Sequence, residues 1–165
     1  MTSAIPPRMK DEAALDEFLT EFEAGSLPKC EWTHAAHLGV ATCYLLSLSA
    51  DEALNQLRKR IRFLNDCHGT LNSKESGYHE TPTRFWLLVL RNFLNTLPRE
   101  VSRACAVEQV ILAFATRKNL YESYYTFDVV KSQAARQSWI PPDCEPGPLV
   151  AADSTKGVRS EIIGN

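Results

Sequence analysis

No stretch of this chain is apolar for long enough to cross a bilayer: the longest such run, around Phe85 to Leu90, falls far short of the ~20 residues a helical span needs. A disulfide framework is missing as well. The five cysteines, at positions 30, 43, 67, 105 and 144, are odd in number and include no Cys-x-x-Cys pair, which fits reduced thiols in a cytoplasm. Charge of one sign is absent: 18 Lys and Arg face 20 Asp and Glu, so the net charge of -2 favours neither nucleic acid nor an anionic membrane surface. The short basic run Arg58-Lys59-Arg60-Ile61-Arg62 reads as a solvated helix face. The opening MTSAIPPRMKDE lacks the apolar core of a secretory signal.

What remains is an ordinary globular composition, 44% hydrophobic and 23% charged over 165 residues, enough for one domain with a core of its own. The periodicity is helical. Ala13, Leu15, Phe18, Leu19 and Phe22 recur at helix spacing, and Gly25 supplies a stop. Thr33 is placed to cap a second helix, apolar nearly all round and therefore central, that runs to about Leu48. Ser49 with Glu52 forms a capping box for a third, whose face is Leu54, Leu57, Ile61 and Leu64 and whose end is Gly69. Thr81-Pro82 marks the start of a fourth helix over about 82–97, and a fifth covers about 101–117. No strand alternation persists. The expectation is an all-α, single-domain bundle of about five main helices over residues 10–143, between a flexible arm (1–9) and a mobile tail (144–165).

Histidine is scarce, and its placement carries the functional argument. His34 and His37 lie in the first turn of the second helix, His68 at the end of the third, and His79 just before the fourth. Residues at i and i+3 on a helix have Cβ atoms about 5–6 Å apart, so the first pair can reach one ion at nitrogen–metal bonds of about 2.0–2.1 Å. Leu57, Ile61 and Leu64 step onward to His68, which should therefore face inward. An antiparallel second and third helix bring residue 68 back towards residues 33–37, and the fourth helix starts at that same end. Three segments thus converge their imidazoles.

Buried imidazoles stay neutral near pH 7, and neutral imidazoles ligate metals. The expectation is a divalent metal, zinc or iron, held by His34, His37 and His79, with Glu80 as the base or a fourth ligand and His68 or Tyr78 orienting a small-molecule substrate. The reaction class is activation of water or oxygen, by a hydrolase or a non-haem iron oxygenase. A Cys/His site from Cys30, His34, Cys67 and His68 is conceivable, although its spacing matches no standard zinc module. The alternative is a non-catalytic ligand- or metal-binding module. A third reading has the histidines merely closing one end of the bundle.

The segments WTHAAHL, NDCHG, SGYHETPTRFW and SQAARQSWIPPD also resemble an uncharacterised bacterial family of small helical proteins, with the pattern W-T-H-x-x-H-L, N-x-x-H-G, G-Y-H-E-T-x-T and S-x-x-A-R-x-x-W-x-x-P-D. The resemblance spans about residues 20–143. It falls on Trp32, His34, His37, Asn65, His68, Gly69, Tyr78, His79, Glu80, Thr81, Arg136, Trp139 and Asp143, with Pro82 as a departure. It implies sites at these positions and no particular reaction. A looser analogy, at the level of fold alone, is to metal-binding bundles of the DinB type, which use a histidine triad.

Overall fold

The computed structural model describes residues 5–144, and every regular element in them is helical. Six α-helices follow one another: α1 (Glu12–Ala24), α2 (His34–Ser47), α3 (Ala50–Cys67), α4 (Glu80–Leu94), α5 (Arg103–Phe114) and the short α6 (Gln133–Gln137). The architecture is the expected all-α bundle. The tail proposed for 144–165 lies, from residue 145 on, outside the described residues.

Local chemistry sets most boundaries. Asp11 caps α1 by accepting the Ala14 amide, and Gly25 ends it in the left-handed region at φ 74°. Thr33 caps α2 through the Ala36 amide. Ser49 and Glu52 form the reciprocal box that starts α3. Ser102 does the same work for α5 by accepting from Cys105. Only the Leu48–Ser49 link separates α2 from α3, which forces an antiparallel hairpin. α2 is the central helix: Ala36 and every residue from Leu38 to Tyr44 are buried, and it packs mainly on α5 and also on α3 and α4.

Two expectations need correction. The first concerns α4. It begins at Glu80 rather than Pro82, its N-cap is His79, and no side chain caps it. Pro82 is tolerated because it falls in the first turn, where amides have no partner within the helix anyway. Thr81 is freed for another task. Its hydroxyl, wholly buried, donates to the Ser138 carbonyl at 2.8 Å and accepts from the Ile140 amide at 3.0 Å, tying α4 to the chain that leaves α6.

The second concerns the N-terminal arm. From Ile5 onward it is docked. Arg8 forks onto Glu21 and also reaches Glu31 at 2.8 Å, and Met9 is buried over Gly39 of α2. A Cβ at Gly39 would lie 2.9 Å from the Met9 sulfur, so the glycine makes room for this contact. Met9→Ala is accordingly expected to lower unfolding free energy by about 2–5 kcal/mol. Urea denaturation reads this directly, and an unchanged midpoint would mean the arm contributes nothing.

A histidine-lined cavity

Three helices offer one face each to a common cavity of about 580 Å³. From α2 come His34, His37, Leu38 and Ala41. From α3 and its end come Leu57, Ile61, Asn65 and His68. His79, Pro82, Thr83, Trp86 and Leu90 follow the helical spacing of α4. All four histidines of the chain are among the residues that line this space. Trp32, Tyr78 and Tyr121 add aromatic wall, and most of the lining is apolar.

Each imidazole has its own surroundings. The His37 ring stacks on Trp32, with centroids 3.8 Å apart and planes 27° from parallel. The residue is exposed, and its ring faces the cavity, packed among neighbouring side chains. Desolvation, with a smaller push from His34, lowers its pKa to about 3. His34 meets Trp86 edge-on at 4.9 Å, and its Nε2 is buried without a hydrogen-bond partner. Burial lowers its pKa, the Phe114 carbonyl opposes that shift, and Lys118 reinforces it.

His79 donates from Nε2 to the Val129 carbonyl at 3.0 Å, and its Nδ1 is buried without a partner among the described residues. Burial again lowers the pKa, helped by the charge of Arg136 and partly countered by nearby backbone carbonyls. The hydrogen bond to Val129 therefore fixes a neutral tautomer with its lone pair on Nδ1. His68 donates from Nε2 to the Leu27 carbonyl at 2.7 Å, which pins the loop after α1 to the end of α3.

Glu80, expected as the base, does not line the cavity. It is buried against α3, where Arg58 engages both its carboxylate oxygens and the Tyr78 hydroxyl donates to Oε2 at 3.0 Å. Burial alone would raise its pKa. The hydrogen bonds from Arg58 and Tyr78 outweigh that and hold it below the usual carboxylate range. Tyr78 lines the cavity with its buried ring while its hydroxyl is committed to Glu80. Cys30 and Cys67 are exposed and outside the cavity lining.

The charged members of the lining are Lys29 and Lys118, with no carboxylate beside them. Both lysines escaped the sequence reading, as did Trp86 and Tyr121 as wall residues. Trp86 had a signal, since it lies seven residues after His79 on the same face of α4. Lys118 comes from the turn after α5 and Tyr121 from the short 3-10 helix Leu120–Ser123, too brief for a period to point inward.

Other residues of the resembling motifs have structural duties. Asp143 accepts from both the amide and the hydroxyl of Thr126, at 2.8 and 2.6 Å. The Arg84 guanidinium lies 5.2 Å from the Trp139 ring centroid. Among the described residues no three His, Cys, Asp or Glu side chains are gathered so that together they could hold a metal ion. His34 Nε2 and His79 Nδ1 are buried nitrogens without a hydrogen-bond partner among the described residues, on two different elements that line this cavity. The remaining nitrogen of His79 is oriented by a backbone carbonyl, as is usual for ligating imidazoles. No protein-family model matches the chain, and no curated protein or solved structure is significantly similar to it.

Proposed function

We propose that the protein is an enzyme acting on a small molecule in this cavity, and that its cofactor is a divalent metal, zinc or iron, drawn to the unpartnered nitrogens of His34 and His79 beside His37; since no three of the described side chains are gathered around one point, water or substrate would complete its ligands. The carrying observation is that His34 and His79, which both line this cavity, each keep one buried imidazole nitrogen without a hydrogen-bond partner among the described residues. An unsatisfied buried nitrogen costs about 1–3 kcal/mol. A ligand's donor or a cation removes that cost. A bound divalent ion supplies Lewis acidity, lowering the pKa of water and polarising a substrate oxygen.

The chain's own residues supply the rest. Neutral imidazoles keep their lone pairs available at pH 7. The Val129 carbonyl holds the His79 tautomer, and Trp32 holds the plane of His37. Apolar and aromatic walls select an apolar body, while Lys29 and Lys118, unopposed by any carboxylate in the lining, favour a molecule bearing negative charge. Five free cysteines support a reducing, cytoplasmic setting.

Wild-type protein purified without a polyhistidine tag is expected to carry or take up near-stoichiometric zinc or iron by elemental analysis, and to unfold at higher temperature when loaded. His37→Ala and His79→Ala should each reduce both effects. Protein that holds no metal, and that zinc, iron, manganese, nickel and copper all fail to stabilise, removes the metal from the proposal.

The second reading, a non-catalytic module whose imidazoles accept hydrogen bonds from a ligand, is favoured by the lack of a gathered three-ligand set among the described residues. Thermal stabilisation of metal-free protein by small aromatic carboxylates, abolished in His34→Ala, would select it.

A further inference from the structure

A second concavity, of about 290 Å³, is lined by Arg62, Asn72, Ser73, Lys74, Tyr78, Arg136 and Gln137. Its three cations come from three separate elements: α3, the loop between α3 and α4, and α6. Like charges brought together by folding repel, and proteins ordinarily intersperse carboxylates among them. Here none is paired. The ion pairs among the described residues engage Arg8, Arg58, Arg103 and Lys131, and leave Arg62, Lys74 and Arg136 aside.

The carboxylates nearest in sequence are occupied otherwise. Asp66 accepts from the Asn72 amide at 2.8 Å, and Glu75 accepts from Gln133. The guanidinium of Arg62 lies 4.8 Å from the Tyr78 ring centroid, and its donors make no hydrogen bond among the described residues.

The framework is built rather than loose. Arg136 donates to the Gly77 carbonyl at 3.0 Å and to the Val130 carbonyl at 3.3 Å, so its planar fork is set by backbone on two sides. Asn72 holds the loop: its Oδ1 accepts from the Tyr78 amide and from Asn65, and its Nδ2 donates to the Arg62 carbonyl. Gly77 at φ 76° closes the turn, where a Cβ would lie 2.7 Å from both the Leu71 carbonyl and Asn72 Oδ1. A single carboxylate is satisfied by one guanidinium fork. Two guanidinium groups and one ammonium match the charge and the several acceptor oxygens of a phosphoryl group.

We propose that this concavity is an anion site separate from the histidine cavity, recognising a dianionic phosphoryl group through Arg62, Lys74 and Arg136. It does not depend on the metal or on the reaction proposed above. Tyr78 lines both spaces, so an occupant here would lie against the far side of one cavity wall.

The probe is inorganic phosphate, titrated calorimetrically into the full-length protein at low ionic strength, with methyl phosphate in a parallel arm. Saturable binding is expected, weakened about ten-fold or more in Arg62→Ala and in Lys74→Ala, as loss of a charge-assisted contact requires. Both side chains are exposed, so the fold should survive, and thermal unfolding of each variant checks this. Lys118→Ala, in the other cavity, should bind phosphate as the wild type does. Equal affinity for the two probes identifies a free or terminal phosphoryl group, and tighter binding of the ester identifies one end of a larger ligand. Absence of saturable binding, or affinity unmoved by Arg62→Ala and Lys74→Ala but lost in Lys118→Ala, overturns the assignment.

Discussion

Taking the protein from pH 6.5 to pH 4.5 is expected to remove about 1–2 kcal/mol of stability through His37, with His34 and His79 adding to the loss in the same direction. In the unfolded chain each imidazole takes up its proton near pH 6.5. In the fold His34, His37 and His79 all resist protonation, His37 down to about 3. Between those limits the unfolded state binds more protons, so stability rises with pH there. The contribution is fully present above about pH 6.5 and is lost as the pH falls through the window below it.

A dry site would make the share of His37 alone about 2.7 kcal/mol over two pH units. Its ring faces a cavity that water enters, and screening reduces that share to about 1–2 kcal/mol. His34 and His79 act in the same direction. Urea denaturation at intervals between pH 7.5 and 4.5 measures the slope, and His37→Gln should flatten it. The lowered pKa of Glu80 places its own acid loss below this window. A wild-type stability that stays level from pH 6.5 to 4.5 would mean that the imidazoles are freely solvated and that the cavity is not what holds them neutral.

Arg58→Met should destabilise the protein by about 3 kcal/mol at pH 7, since it leaves a buried carboxylate without its cation. The Glu80 side chain is only 6% exposed, and burial then acts on it opposed only by the Tyr78 hydroxyl and the charge of Arg84. In the wild type the depressed pKa of Glu80 stabilises the fold above the unfolded carboxylate pKa, near 4.3. Without Arg58 the folded-state pKa moves above the unfolded value, and the penalty appears as the pH rises through it. The gap between variant and wild type should therefore narrow on acidification from pH 7 to 5. The double variant Arg58→Met/Glu80→Gln should recover most of the loss. A gap of constant size across that range, or a double variant no better than the single, would show that Arg58 stabilises by packing alone.

The histidine cavity was legible because helices repeat. Once α2, α3 and α4 are drawn from their apolar spacing, His37, His68 and Trp86 fall on inward faces, and the short link at Leu48–Ser49 brings residues 34 and 68 to one end. Glu80 was assigned otherwise for a reason the sequence conceals. Neighbouring residues on a helix point in different directions, so with His79 at the cavity its successor turns towards Arg58. The Thr-Pro pair looked like a helix start, whereas Thr81 is spent on Ser138 and Ile140, a partnership 57 to 59 positions away that no local pattern announces. Lys118 reaches the cavity from a turn and Tyr121 from a four-residue 3-10 helix, both too short to show a period. The second concavity combines α3, a loop and α6, and such an assembly emerges only when all three are in place.

The latch formed by the Thr81 hydroxyl has a bearing on how far the chain can be shortened. Val129 orients His79, Arg136 secures the turn at Gly77, and residues 138 and 140 grip the start of α4. A fragment ending after α5 would keep the five longer helices and still lose the brace behind one wall of the cavity. The smallest unit able to keep that wall in place therefore extends at least to Asp143, where the bond to Thr126 fastens the last turn of described chain.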